Sequence, residues 1–271
     1  MTPKAIRTGS PVPAALVLPA AAGVVLIVGP LLALAARAEW SSFWADISTP
    51  TAQDALRLSV GTALIATAVC LALGFPLALV IARARPAVAA VLRVTVTVPL
   101  VLPPMIGGVA LLFLLGRRGA LGAPLFELWG IQIPFTTTAV VIAQVFVALP
   151  FLVLTVESSL RTVGTDLERT AETLGAGPWR ILFRITLPLA APGVISGTVL
   201  CFARAIGEFG ATALFAGNAP GTTQTMPLAI YTAFNGSGVG QGEAVALSLL
   251  LLATTVMMLV LVRAWRPGAA R

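Results

Sequence analysis

Residues 166–188, DLERTAETLGAGPWRILFRITLP, form a charged interruption between apolar runs that would otherwise read as unbroken membrane sequence. The segment is too polar for hydrocarbon. Its apolar positions nevertheless recur at helical spacing, first Leu167, Ala171 and Leu174, then Trp179, Leu182 and Phe183. Gly175, Gly177 and Pro178 separate the two sets, which predicts two short amphipathic helices with a break between them. An apolar face held outside the bilayer needs a partner to cover it, so the segment reads as a docking surface rather than a linker.

The flanking runs set the fold class. The chain of 271 residues is 58% hydrophobic and 10% charged, with a mean hydropathy of +0.99, which points to an integral membrane protein. A bilayer core takes about 20 helical residues to cross, and runs of that order occur near 14–36, 56–82, 91–115, 137–156, 189–213 and 244–262. They predict an all-α polytopic membrane protein with six transmembrane helices, because hydrocarbon leaves unpaired backbone groups unsatisfied and the alternation of barrel strands is missing. The first run exceeds a signal-peptide core of about 7 to 15 residues and reads as a retained span.

Charge orients the spans. If they alternate, Lys4, Arg7, Arg83, Arg85, Arg93, Arg161, Arg169, Arg180, Arg184, Arg263, Arg266 and Arg271 share one side, against Arg37, Arg57, Arg117 and Arg118 on the other. Both termini and residues 166–188 are then expected in the cytoplasm. The expected division is an N-terminal segment with the first helix (1–55), a core with five helices (56–262) and a cytoplasmic tail (263–271).

Several chemistries are excluded. Histidine is absent, and Lys4 is the only lysine, so the chain carries neither a His-based site nor the lysine of a phosphate-binding Walker A loop. The +7 net charge is scattered beside apolar runs rather than clustered with aromatics, which argues against nucleic-acid binding. Cys70 and Cys201 lie inside apolar runs, where a thiol acts as a small hydrophobe, and no disulfide is expected. No Ser/His, paired-Asp or metal-ligand cluster supports an intramembrane enzyme.

Pathway candidates come from breaks and charges inside the spans. Pro76, Pro99, Pro150 and Pro192 fall in apolar runs, and Gly193 with Gly197 forms a small-xxx-small face. Pro103, Pro104, Gly107 and Gly108 in the third run, with Pro192 to Gly197 in the fifth, fit either tight packing or bending that opens a pathway. Arg204 and Glu208 stand one helical turn apart in the fifth run, where charge is costly enough to imply function. They fit a weakly attractive anion conduit or an ion pair that staples helices. A proton-coupled secondary transporter with this pair as relay is the rival class, disfavoured by scarce intramembrane carboxylates and the lack of an evident inverted repeat. The segment 217–225 offers glycines with Asn218, Thr222, Thr223, Gln224 and Thr225, suited to an anion nest or to a contact surface for an external protein.

The helix, glycine break and helix that enter a span through Ile185, Thr186, Leu187 and Pro188 resemble the EAA loop of binding-protein-dependent ABC transporter permeases. That pattern has a glutamate, a pair of alanines, a glycine after three more residues and, nine residues later, Ile-x-Leu-Pro. Glu168, Ala171, Gly175 and Ile185-Thr186-Leu187-Pro188 fit it, while Thr170 replaces the first alanine, adding a hydroxyl expected to face solvent. The resemblance covers about 56–262. It implies a type I importer permease fold in a bacterial inner membrane, with Glu168, Ala171, Gly175, Trp179, Ile185, Leu187 and Pro188 coupling it to a separate ATPase subunit. Leu174, Trp179 and Phe183 supply an apolar contact face, and Glu168, Arg169, Glu172 and Arg180 its charged rim.

A second stretch, Phe202-Ala203-Arg204 with Gly207-Glu208-Phe209-Gly210-Ala211-Thr212, then Ala216-Gly217-Asn218 and the run from Pro220 to Tyr231, is similar to the molybdate or tungstate branch of these permeases. Sulfate permeases share the part from Arg204 to Glu208. The resemblance implies an oxyanion importer, most simply for molybdate, in which a second copy of the chain completes the pore. An extracytoplasmic oxyanion-binding protein delivers cargo, and ATP and Mg are bound by the ATPase, with no cofactor in this chain. The expected pathway residues are Pro103, Pro104, Gly107, Arg204, Glu208 and Thr225.

Overall fold

The computed structural model describes residues 13–236 and 241–264, and among these only helices form regular structure. Lys4, Arg7 and tail residues 265–271 lie outside the described residues. A 3-10 turn (Ala14–Leu16) leads into α1 (Val17–Ala36), followed by α2 (Phe43–Ile47), α3 (Pro50–Arg83), α4 (Pro86–Val101), α5 (Pro104–Leu115) and α6 (Gly122–Trp129). The second half holds α7 (Thr137–Val163), α8 (Asp166–Thr173), α9 (Pro178–Ile181), α10 (Leu187–Ile206), α11 (Gly210–Phe215), α12 (Met226–Asn235) and α13 (Gln241–Ala264).

Four helices are long and apolar enough to cross a bilayer: Ala14–Ala36, Pro50–Arg83, Thr137–Val163 and Pro178–Ile206. The α4–α5 pair makes a fifth candidate, whereas the apolar part of α13, Gly242–Met258, is shorter. By length and composition the described residues therefore give four crossings, or five with the bent α4–α5 pair. The third expected run, 91–115, bends by 112° between α4 and α5. Its cause is local: each residue before a proline avoids helical geometry, and here Leu102 (ψ 133°) and Pro103 (ψ 132°) precede Pro103 and Pro104. The fifth run, 189–213, likewise stops at Ile206 and resumes as α11 at Gly210.

Other boundaries shift outward. Pro50 occupies the first turn of α3 behind Thr49, whose hydroxyl accepts from Ala52 N–H at 3.2 Å, so the helix starts inside the expected N-terminal segment 1–55. α7 continues past 156 to Val163 and carries a buried Glu157. Arg263 and Ala264, expected in the tail, end α13.

The centre of the molecule is the packing of α3, α7 and α10 through small residues, among them Ala63, Ala66, Cys70, Ala148, Ala190, Cys201 and Ala205. Without water to drive association, helices in lipid gain by close backbone approach. A Cβ on Gly74 of α3 would lie 2.8 Å from Leu152 of α7; one on Gly197 would lie 3.3 Å from the same side chain. At Gly193 it would overlap Ser159 outright. The Gly193/Gly197 face thus seats α10 on α7. Gly193→Ala is expected to cost about 1–3 kcal/mol by overpacking, read as a lower melting temperature in detergent, while Gly23→Ala on peripheral α1, with open space around it, should leave the melt unchanged.

The two chain breaks meet. A Cβ on Gly210, at the start of α11, would lie 2.9 Å from Pro104 Cβ, and one on Gly108 of α5 would lie 2.8 Å from the Ala211 carbonyl oxygen. On its other side α5 abuts Phe146 of α7 at Gly107. Pro103, Pro104 and Gly107 are thereby brought beside the segment that carries Glu208.

Candidate functional site

At one end of the bundle, the segment after α7 turns at Gly164 (φ +73°) and forms α8. Asp166 and Glu168 sit in its first turn, where the helix dipole favours negative charge. α8 ends at Gly175, whose φ of +81° is the left-handed conformation glycine adopts without a Cβ penalty. Gly177 and Pro178 then start α9. The second short helix is not separate, as the sequence suggested, but is the first turns of one rod running from Pro178 to Ile206. Leu182–Thr186 takes π-helical geometry just ahead of Pro188, which has no N–H to give the preceding turn. A wider turn absorbs that missing donor without breaking the rod.

Leu174, Trp179 and Phe183 are 83%, 72% and 60% exposed. The Trp179 and Phe183 rings stack at 5.9 Å with an interplanar angle of 16°. Leu167 is exposed as well, Ala171, Ile185 and Leu187 are half-buried, and Pro188 faces outward. Arg169, Glu172 and Arg180 are exposed around this knuckle. Glu168 is not on the rim: its Oε1 accepts from Arg83 Nη2 at 2.5 Å and from the Thr186 hydroxyl at 2.7 Å. One carboxylate oxygen therefore ties α8 to the end of α3 and to the base of the long rod. The Thr170 hydroxyl, expected to face solvent, donates back to the Asp166 carbonyl at 2.9 Å.

Arg83 was not legible as a site residue, since it stands 85 positions from Glu168 and its only sequence signal is its place at the end of an apolar run. Arg83→Ala removes a partly exposed pair worth roughly 0–1 kcal/mol in stability, so the fold should persist. Its expected signature is faster amide hydrogen exchange confined to α8; unchanged exchange there would refute the tethering role.

Further along the rod, Arg204 Nη2 faces Glu208 Oε2 at 2.7 Å. The contact lies off hydrogen-bonding geometry, so it is an electrostatic pairing. Glu208 is 1% exposed and its Oε1 accepts from the Ala211 N–H at 2.7 Å, bracing the start of α11. The pair thus bridges the break between α10 and α11 rather than two distant spans. Among the described residues, buried polar atoms without hydrogen-bond partners also occur on α7, α11 and the start of α12: both amide atoms of Gln144 and the hydroxyls of Thr212 and Thr225.

Segment 217–225 is neither a wholly exposed loop nor a nest. Thr222, Thr223 and Gln224 all turn their N–H groups onto the Ala219 carbonyl, at 3.2, 2.9 and 3.0 Å, and Gly217 N–H is spent on Thr212. Thr223, Gln224 and Thr225 are buried, and Met226 N–H donates to Ser59 of α3 at 2.7 Å. Only the stretch from Asn218 to Thr222 remains outside.

Sequence reasoning also missed Glu157, buried on α7 between Arg93 of α4, at 2.5 Å, and Arg161, at 3.2 Å. An acid near the end of an apolar run is the signal that would have found it.

Residues 74–267 match the family described as binding-protein-dependent transport system inner membrane component. The chain belongs to this permease family. Molybdenum transport system permease proteins ModB of Mycobacterium tuberculosis and Mycobacterium bovis are each 54% identical to the permease over 214 residues, 79% of this chain and 81% of theirs. The sulfate transport system permease protein CysW of Synechococcus elongatus is 35% identical over 194 residues, covering 72% of this chain and 68% of its own. In fold, the permease resembles a bacterial ABC transporter involved in import of the acidic polysaccharide alginate, with a TM-score of 0.68, 16% identity and coverage of 93% of this chain and 95% of that one. It also resembles the MetNI methionine ABC transporter, with a TM-score of 0.61, 17% identity and coverage of 79% and 95%. Its inner-membrane setting agrees with the apolar helices described above.

Proposed function

We propose that this permease is the membrane-spanning subunit of an ATP-driven importer that moves molybdate into the cytoplasm. The observation that carries the mechanism is an exposed aromatic knuckle continuous with a membrane-crossing rod and tied by Glu168 to α3. Trp179, Phe183 and Leu174 form the face on which a separate ATPase subunit seats, with Arg169, Glu172 and Arg180 fixing register. ATP and Mg belong to that partner, and an extracytoplasmic oxyanion-binding protein presents the cargo. A second copy of the chain completes the pathway.

The crossings are read as α1, α3, the bent α4–α5 pair, α7, α9–α10 and α13. The Arg83–Glu168 pair supports the end of α3 lying on the knuckle side, and Glu39 beside Gly242 supports α13 starting at the far end of α1. Both termini then fall on the knuckle side, in the cytoplasm. Arg204 and the buried polar atoms of Gln144, Thr212 and Thr225 give the pathway modest attraction for an oxyanion, suited to a conduit that must release its cargo. Relatives at 54% identity support molybdate over sulfate.

Proteoliposomes holding the permease, its ATPase and its binding protein test this reading. Labelled molybdate should enter only with ATP and binding protein, and tungstate should compete better than sulfate. Uptake driven by a proton gradient without ATP would sink it, and sulfate uptake in preference to molybdate would reassign the substrate.

A further inference from the structure

A cleft of about 540 Å³ opens between α1, the end of α12 and the start of α13. Its apolar wall is Pro30, Ala33 and Leu34 of α1 with Val245 of α13, and its rim carries Arg37 and Glu39. The rim follows directly on the end of the apolar span Ala14–Ala36, so the hollow straddles the boundary between hydrocarbon and water. None of the residues of α1 is buried; the helix meets the bundle chiefly along α13, with the cleft beside that contact. Neither Arg37 nor Glu39 has an ion pair or side-chain hydrogen bond among the described residues. Trp40, 63% exposed, follows at the level where aromatic rings favour the lipid interface.

A hollow at this depth is lined by what an amphiphile needs: an apolar wall below, then a cation and an anion two residues apart above. We propose that the cleft holds a phospholipid with an amine-bearing head group, in the leaflet away from the aromatic knuckle. Its phosphate lies on the Arg37 guanidinium, its primary ammonium on the Glu39 carboxylate, and an acyl chain runs down Pro30, Ala33, Leu34 and Val245. A Cβ on Gly242 would lie 3.5 Å from the Glu39 carboxyl carbon, which places this acid against the start of α13, at the mouth of the cleft. Lipid extends the contact of α1 with α13 into the hollow beside it.

The test is native mass spectrometry and thermal melting of the delipidated full-length permease, with phosphatidylethanolamine, phosphatidylcholine and phosphatidylglycerol added in turn. Phosphatidylethanolamine should be retained about tenfold better than either other lipid, the equivalent of roughly 1.4 kcal/mol, and should raise the melting temperature most. Glu39→Gln should erase the preference over phosphatidylcholine, and Arg37→Gln should weaken all three. Ala33→Trp fills the hollow without touching either charge and should abolish retention in a protein that still melts cooperatively. Equal retention of the three lipids by the wild type, undiminished retention in the Ala33→Trp variant, or equal protection by inorganic phosphate alone would each overturn the assignment.

Discussion

Trp179→Ala is expected to uncouple transport while leaving the permease folded. The side chain is 72% exposed and stacks on Phe183, itself 60% exposed, so removing it should change folding stability by no more than about 0.5 kcal/mol. At an interface the same ring is a hot-spot residue, and its loss typically costs about 2 kcal/mol or more, roughly a thirtyfold weaker association. Co-purification with the ATPase and nucleotide-dependent uptake should fall together while the melting temperature holds. Full ATPase association by the variant would remove the knuckle from the coupling interface. Phe183→Ala should act in the same direction, and the double variant should show less than the sum of the two losses because the rings support each other.

Arg204→Gln is expected to be the most damaging substitution in the membrane region. It leaves Glu208, 1% exposed, with the Ala211 N–H as its one hydrogen-bond partner among the described residues. Breaking a buried pair from one side costs about 3–5 kcal/mol, because the remaining charge is stranded. The permease should melt well below the wild type and uptake should vanish. The companion variant Arg204→Gln/Glu208→Gln separates structure from transport, since the amide oxygen still accepts from Ala211 while no charge is stranded. Stability should return in that variant and molybdate uptake should not, because the guanidinium proposed to attract the oxyanion is gone. Recovery of both would reduce the pair to a structural brace.

Much of this architecture was legible from apolar run lengths and from the residues that interrupt them. The break at Leu102–Pro104 was also written in the sequence, in two consecutive prolines that each force an extended residue ahead of them, yet run length alone treated 91–115 as one unbroken helix. Other features had no local signal. Glu157 is tolerated inside α7 because Arg93, 64 positions away, reaches it, and the pattern of a single helix cannot display that. Likewise the inward turn of Glu168 depends on Arg83 and Thr186, so a charge that looked like part of a solvated rim is a tether. Segment 217–225 looked like an exposed loop or a nest from its threonines and glycines; the burial of Thr223, Gln224 and Thr225 goes with Ser59 accepting the Met226 N–H, a contact across 167 residues. Periodicity reports which face of a helix is apolar, whereas pairings between distant charges appear only once the chain is folded.

The continuity of Pro178–Ile206 has a mechanical corollary. Its 29 residues extend roughly 43 Å at 1.5 Å per residue, with Trp179 at one extremity and Arg204 near the other. A stiff lever of that length magnifies small angles: tilting it by about 10° about its foot displaces the distant tip by about 7 Å, wider than a hydrated passage needs to be pinched shut. If an ATPase seats on the knuckle as proposed, its closure has no need to unfold or rebuild any segment in order to swing Arg204 sideways within the membrane.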